Sequence, residues 1–144
     1  MHTSSRRTIK RKLRIEPTLH QVDMLGVVHN AEYIRWFDEG RFQLVCEVVS
    51  IQEAIDAGVA LMVVENHCAY KKFVRLGDAL VLYTTHVIKP AYEGRFVFEH
   101  SLVHEKTKIE MARGNSALVA VEYRTHQLLR ELPPFIWERY CRLK

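Results

Sequence analysis

The sequence has no long hydrophobic run, and this absence limits where the protein can work. None of its apolar stretches approaches the roughly 20 residues that a helix needs to cross a bilayer. The segment from Met1 to Lys12 is basic and lacks the apolar stretch of a signal peptide. We therefore expect a cytoplasmic protein without integral membrane association.

Cysteine is also scarce, and its pattern does not suggest metal binding. The three cysteines, Cys46, Cys68 and Cys141, are widely spaced and form no Cys-x-x-Cys pair. None of the eight histidines has a zinc-ligand spacing to a cysteine. We interpret the cysteines as free thiols. The sequence thus predicts no metal site.

The length and composition of the chain are typical of a single domain, and its N-terminal segment is rich in basic residues. The 144 residues are 48% hydrophobic, which fits one domain, residues 1–144, with its own core. The formal net charge is +4, and basic residues gather between Arg6 and Arg14. Such a cluster favours an anionic partner, or it protects an edge strand from pairing with other chains. Exposed aromatics do not interleave with it, so a nucleic-acid module is not expected.

Hydrophobic periodicity and turn residues divide the chain into one long helix, five strands and two short helices. The predicted order is strand Arg7–Ile15, an irregular stretch over 17–30, helix Ala31–Val49, helix Ile51–Ala57, strands Val59–Phe73, Asp78–Lys89, Arg95–His104 and Glu110–Arg124, and helix Pro133–Leu143.

The long helix is apolar around most of its circumference. A polar stripe runs from Glu32 to Glu47, and apolar side chains fill the remaining faces. Arg41 falls within the apolar arc and requires a partner, which we expect to be Asp38, within the helix or across subunits. These features predict an α+β fold in which an antiparallel sheet of about five strands wraps around one central helix. The outer sheet face is also apolar enough to need a partner subunit.

The stretch from Val22 to Tyr33 combines an aspartate, a glycine and a helix start. Backbone N–H groups at a helix N-terminus lack intrahelical acceptors and can polarise a carbonyl group. A carboxylate such as Asp23 could attack that carbonyl or deprotonate a water molecule that does so. Gly26 would let the backbone approach a substrate closely. A loop aspartate before a helix is more often a cap, so local physics leaves both interpretations open.

This stretch resembles the hallmark of the 4-hydroxybenzoyl-CoA thioesterase family, in which an aspartate precedes a Gly-Val-Val-type segment and a helix beginning near Ala-x-Tyr. The similarity continues through the segment Tyr33–Arg41, the segment Tyr70–Asp78 with its Gly-Asp turn, and Leu132-Pro133-Pro134 before the last helix. It therefore extends over almost the whole chain.

The resemblance implies a hotdog fold, a homodimer or homotetramer with interfacial active sites, and hydrolysis of an acyl-CoA. Coenzyme A is then part of the substrate, and no separate cofactor is expected. Asp23 matches the family's catalytic aspartate, and the backbone N–H of Asn30 would point at the thioester carbonyl. Gln21 stands where many relatives have a second aspartate, and His29-Asn30 stands where many have Tyr-His.

Further residues follow from the same resemblance. Catalytic residues would be Asp23, Asn30 and His29; the acyl group would contact Gly26, Val27, Tyr33, Met62 and Val63; the CoA phosphates would meet Lys89, Arg95 and Lys72. A hotdog domain that binds acyl-CoA or acyl-carrier protein without hydrolysis remains the alternative. A hotdog dehydratase is disfavoured, because the long helix has no histidine.

Overall fold

The structure, a computed structural model, describes residues 6–144. The first five residues of the basic segment lie outside this range. In chain order the elements are β1 (Arg7–Ile15), a 3₁₀ turn (Leu19–Gln21), α1 (Asn30–Val45), α2 (Ile51–Asp56), β2 (Val59–Tyr70), β3 (Leu80–Ile88), β4 (Arg95–His104), β5 (Glu110–Glu122) and α3 (Pro134–Arg142). The predicted α+β architecture, with five strands and one long central helix, is confirmed.

The strands form one antiparallel sheet in the order β1-β3-β4-β5-β2. Its pairing gives the sheet two distinct ends. At one end Ile15 pairs with Leu80, and Tyr70 pairs with Ala112; we call this the Tyr70 end. At the other, the Val59 end, Val59 pairs with Glu122, and the β3–β4 connection turns nearby.

Helix α1 packs on the inner face of the sheet, where alternate residues of β3 and β4 are buried. Phe37 is fully buried, and Gly40 meets β3 so closely that an added Cβ would stand 2.5 Å from Thr84 Oγ1. Beneath the helix, His100 bridges neighbouring strands through Thr84 (3.1 Å) and Ser116 (3.0 Å), and the ring of Phe37 stacks on it. Burial and, to a smaller extent, the charge of Arg41 lower the pKa of His100 to about 3.

The predicted Asp38–Arg41 pair forms within α1. Arg41 Nη2 donates to Asp38 Oδ1 at 2.7 Å, and Arg41 is only 8% exposed. The polar stripe needs one correction, because Glu32 is buried and not solvated. Its carboxylate accepts hydrogen bonds from Gln21 Nε2 and from Arg35 Nη1, so the preceding loop covers the first turn of the helix.

The two edges of the sheet differ in character. The β1 edge carries lysines and arginines between Arg7 and Arg14, which discourage pairing with another strand. The β2 edge is exposed from residue 61 to residue 67 and presents Leu61, Met62, Val63 and Val64. An apolar unpaired edge is a template for another strand.

Among residues 6–144, no helix has the length and apolarity that crossing a membrane requires.

Candidate active site at the N-terminus of α1

The loop before α1 is a small hairpin whose turn begins at Asp23. Val22 and Val28 form an antiparallel bridge, and Asp23 N–H donates to Val27 O at 2.9 Å. Gly26 has φ +73°, and no other atom lies within 4 Å of where its Cβ would stand. Within this chain, glycine is required here by the left-handed backbone of the turn and not by close packing.

The side chain of Asp23 is anchored by one oxygen. Asp23 Oδ1 accepts hydrogen bonds from the N–H groups of Leu25 (2.8 Å) and Val27 (3.2 Å). Within the described part of the chain, Oδ2 accepts none, and the residue is exposed. The carboxylate is thus held in place by the loop, with its second oxygen available to a ligand.

Helix α1 starts at Asn30 and leaves that residue's N–H free. His29 is the N-cap, and its Nδ1 accepts a hydrogen bond from Ala31 N–H at 3.4 Å. Glu32 N–H donates to His29 O. The N–H of Asn30 has no acceptor among residues 6–144, and it carries the positive end of the helix dipole.

Two tyrosines brace the helix start against β2. Tyr70 Oη donates to the carbonyl oxygen of Asn30 at 3.2 Å, and the rings of Tyr70 and Tyr33 meet edge to face at 4.9 Å. Burial raises the pKa of both tyrosines, so the Tyr70 hydroxyl keeps the proton that it donates. No catalytic role for Tyr70 was predicted, although period-2 alternation along β2 places it on the helix side of the sheet.

A second segment fixes the Asp23 loop from outside. Val28 N–H donates to Val74 O at 2.8 Å, and Leu76 N–H donates to Gly26 O at 3.2 Å. Arg75 N–H itself donates to Asp78 Oδ2 at 2.9 Å, within the Gly-Asp turn that belongs to the family resemblance. The Tyr70–Asp78 segment therefore supports the Asp23 loop, although the two are far apart in sequence.

Some of the predicted site residues gather at one place. Asp23, Gly26, Val27, His29, Asn30 and Tyr33 all lie at the Tyr70 end of the sheet, around the start of α1. Lys72 is also at this end and is exposed, and its N–H donates to Met111 O.

The other predicted residues lie at the Val59 end of the same chain. Met62 and Val63 are separated from Tyr70 by about 25 Å along β2, at 3.3 Å per residue. Lys89 Nζ is paired with Glu93 (2.6 Å), and Arg95 Nη2 is paired with Glu65 (2.8 Å). A single protomer does not bring these residues to Asp23.

A cavity of about 710 Å³ lies at the Val59 end, between the second half of α1, helix α2, the start of β2 and helix α3. Val63 lines it, whereas Met62 and Tyr33 do not. Residues 6–144 contain no group of His, Cys, Asp or Glu side chains arranged to hold a metal ion.

A family model described as the thioesterase-like superfamily matches residues 17–139. The chain belongs to this superfamily. The matched range begins before Asp23 and ends within α3, so it includes both the hairpin loop and the whole sheet.

Individual relatives agree with this assignment. The chain is 25% identical over 133 residues to the Synechocystis protein sll0410, which is named as an esterase, and the alignment covers 92% of this chain and 78% of that protein. It is 30% identical over 74 residues to Bacillus subtilis YneP, named as an acyl-CoA thioesterase, covering 51% of this chain and about half, 54%, of that protein.

The fold is that of the hotdog thioesterases. The crystal structure of Slr0204, a 1,4-dihydroxy-2-naphthoyl-CoA thioesterase from Synechocystis, superposes with a TM-score of 0.74 at 21% identity. The superposition covers 93% of this chain and 97% of that one. The protein is thus a member of the thioesterase-like superfamily with the hotdog fold.

Proposed function

We propose that the protein hydrolyses an acyl-CoA thioester to a free carboxylate and coenzyme A at the N-terminus of α1. The observation that carries the proposal is the N–H of Asn30, which has no acceptor among residues 6–144 and stands at the positive end of the helix, next to a loop that holds the Asp23 carboxylate. An oxyanion donor and a carboxylate are the two groups that this reaction needs.

The proposed chemistry follows from these two groups. Asn30 N–H binds the thioester carbonyl oxygen and stabilises the negative charge that grows on it. Asp23 Oδ2 either attacks the carbonyl carbon, giving a mixed anhydride that water then cleaves, or removes a proton from the attacking water. Both routes break the carbon–sulfur bond, release the CoA thiolate and leave the acyl group as a carboxylate. His29 and the Asn30 side chain would orient the water or the acyl group.

We further propose that the working unit contains a homodimer joined through β2. A twofold axis places two copies of the same edge strand antiparallel, which extends the hydrogen-bonded ladder and buries the exposed apolar run from Leu61 to Val64. The same pairing sets the Val59 end of one protomer beside the Tyr70 end of its partner. A tetramer would use the outer sheet face, where Val87 and Val97 are exposed.

Such a dimer reunites the predicted site residues. Lys89 and Arg95 of one protomer come near the Asp23 loop of the other, where they can bind CoA phosphates together with Lys72. Each would exchange its present carboxylate, Glu93 or Glu65, for a phosphate. Coenzyme A remains part of the substrate, no other cofactor is required, and the cytoplasm is the expected location.

A thiol-release assay over acyl-CoAs of different chain length and aromaticity tests the hydrolysis directly. We expect free CoA to appear with at least one member of the panel and in proportion to enzyme concentration. Saturable binding of every member by calorimetry, with no thiol released, would contradict the proposal and favour an acyl-CoA-binding hotdog domain.

A further inference from the structure

The carboxylate of Glu32 is buried in the first turn of α1. The residue is only 8% exposed, and a carboxylate that is removed from water needs hydrogen-bond donors. Its Oε1 accepts from Arg35 Nη1 at 3.2 Å, and its Oε2 accepts from Gln21 Nε2 at 3.1 Å. The side chain of Arg35 is 71% exposed, so its charge is largely screened by water. Gln21 is therefore the donor that reaches Glu32 from the loop side.

Gln21 joins three parts of the chain. Its main-chain carbonyl oxygen accepts a hydrogen bond from His29 N–H at 2.8 Å, across the base of the hairpin. Its side-chain Oε1 accepts from Thr18 N–H at 3.0 Å, while its Nε2 donates to Glu32. Among residues 6–144, this last contact is the one side-chain hydrogen bond that joins residues 18–28 to α1. The first strand of the hairpin is thus held to the helix through one amide group.

The carboxylate of Glu32 also selects one orientation of that amide. A carboxylate accepts hydrogen bonds and donates none, so only the NH₂ group of Gln21 can face it. The amide oxygen then faces Thr18 N–H, as the structure shows. A second amide at position 32 could face either group of Gln21 and would not make this selection. The negative charge strengthens the bond and is favourable near the positive end of a helix.

The bond lies between the two groups that carry the proposed reaction. Asp23 follows Gln21 by two residues along the hairpin. Asn30 precedes Glu32 by two residues, at the start of the helix. The Gln21–Glu32 bond therefore joins the segment with the carboxylate to the segment with the oxyanion donor. A displacement of about 1 Å between such groups can lower a rate by about a hundredfold.

We propose that Gln21 and Glu32 are positioning residues. Their hydrogen bond sets the angle of the Asp23 hairpin on α1. It thereby places the Asp23 carboxylate relative to the N–H of Asn30, and both side chains act through the backbone that they hold. The effect on the reaction rests on the proposed function, whereas the effect on the placement of the hairpin does not.

Exchanging the two functional groups tests the bond. Gln21→Glu alone sets two carboxylates against each other, so kcat should fall by about tenfold or more, with a smaller change in KM. Adding Glu32→Gln to Gln21→Glu restores one acid and one amide. The new acid can accept from Thr18 N–H and from the new amide, and the amide oxygen can accept from Arg35. The double variant should therefore return kcat to within about threefold of the wild-type value.

Two results of this exchange overturn the proposal. One is a Gln21→Glu enzyme with the kcat of wild type. The other is a double variant that is no faster than Gln21→Glu, because the effects of the two substitutions would then be independent of each other.

A second pair of variants serves if Gln21→Glu does not fold. Glu32→Ala removes the acceptor, whereas Glu32→Gln keeps an oxygen that Gln21 Nε2 can reach. We expect kcat to fall by about tenfold in Glu32→Ala and by about threefold in Glu32→Gln. A Glu32→Ala enzyme with the kcat of wild type contradicts the proposal.

Helix α2 provides a matched control. Gln52 Nε2 donates to Asp56 Oδ1 at 2.8 Å, so the same two kinds of group meet there in an exposed place. Gln52→Glu should keep kcat within about twofold of the wild-type value, because water screens the two exposed charges. A fall in kcat equal to that of Gln21→Glu would mean that the position of the charge does not matter, and it overturns the assignment.

Amide hydrogen exchange tests the placement of the hairpin without any substrate. His29 N–H, which donates to Gln21 O, should exchange about tenfold faster in Gln21→Glu than in wild type, and the double variant should restore its protection. Val28 N–H, which donates to Val74 O, is the internal reference. Equal exchange of His29 N–H in all three proteins overturns the positioning role. If wild type releases no CoA from any thioester, the proposed function fails, and the exchange rates still decide whether the bond holds the hairpin.

Discussion

Tyr70 Oη donates a hydrogen bond to the carbonyl oxygen of Asn30 at 3.2 Å. This contact joins the last residue of β2 to the residue whose N–H we propose as the oxyanion donor. It fixes the first peptide group of α1 from the sheet side, while Val28, bonded to Val74, fixes the loop from the other side. Tyr70 is therefore a positioning residue in the proposed reaction.

Tyr70→Phe should lower kcat by about threefold to tenfold, the equivalent of one neutral hydrogen bond, with a smaller effect on KM. Steady-state kinetics measure both values. Tyr83→Phe on the outer sheet face is the control, because the ring of Tyr83 contacts Lys10 far from the helix start. Equal kcat in Tyr70→Phe and wild type would show that the contact does not position Asn30.

The Asp38–Arg41 pair predicts unequal effects of two neighbouring substitutions. Asp38→Ala removes the partner of a guanidinium that is 8% exposed, so we expect a loss of about 1–3 kcal/mol in the free energy of unfolding. Glu39→Ala, one residue away and exposed, should change it by less than about 0.5 kcal/mol. Urea denaturation measures both. A similar loss in the two variants would contradict the structural role of the pair.

His100 should make the protein sensitive to acid. Its pKa is about 3 in the folded state and near 6.5 when unfolded, so the unfolded chain binds the extra proton as the pH falls below 6.5. Stability from this group is complete above pH 6.5 and is lost toward pH 3, by about 3 kcal/mol between pH 7 and pH 4.

His100→Gln isolates this contribution, since glutamine does not titrate. Denaturant unfolding at pH 7 and pH 4 should show a smaller pH-dependent loss in the variant than in wild type. His86, whose pKa burial also lowers, provides a second contribution of the same sign in both proteins. An identical loss in the variant and in wild type would mean that His100 is not the group that titrates.

The exposed edge of β2 predicts a dimer that one charge can weaken. Val64 is 48% exposed near the centre of the edge, and Val64→Lys places two lysines opposite each other across the twofold axis. Sedimentation analysis should give twice 16.9 kDa, or a multiple of that dimer, for wild type and a larger monomer fraction for the variant. Ile109→Lys, exposed outside the edge, should sediment as wild type. A wild-type monomer would contradict the pairing.

Features set by local sequence were predictable. The predicted bounds of β1 and β4 match the structure at both ends. Alternating apolar residues mark each of these strands, and residues that favour turns or breaks follow them. The sequence predicts that helix α1 extends to Val49, but it ends at Val45, because Val48 and Val49 continue the apolar pattern while residues 46–48 form turns. Apolar periodicity alone does not separate those two conformations.

The site residues show the same contrast between features that local sequence sets and features that depend on distant parts of the chain. Asp23 and Asn30 are seven positions apart in sequence, and one hairpin keeps them together, so the sequence could place them. Glu32 is buried because the loop of Gln21 folds over it, which periodicity within the helix cannot show. Lys89 and Arg95 fall at the far end of the sheet because of the pairing of strands that are distant in sequence.

The most direct test of the account is the rate of thioester hydrolysis by Asp23→Asn. Asparagine keeps an oxygen that can accept the hydrogen bonds of Leu25 and Val27, so the hairpin and the circular dichroism spectrum should not change. It lacks the charge needed for attack or proton removal. Asp56→Asn in α2, exposed on the surface, is the matched control. The account predicts a fall in kcat of at least about a hundredfold for Asp23→Asn alone. Hydrolysis at the wild-type rate by folded Asp23→Asn would contradict it.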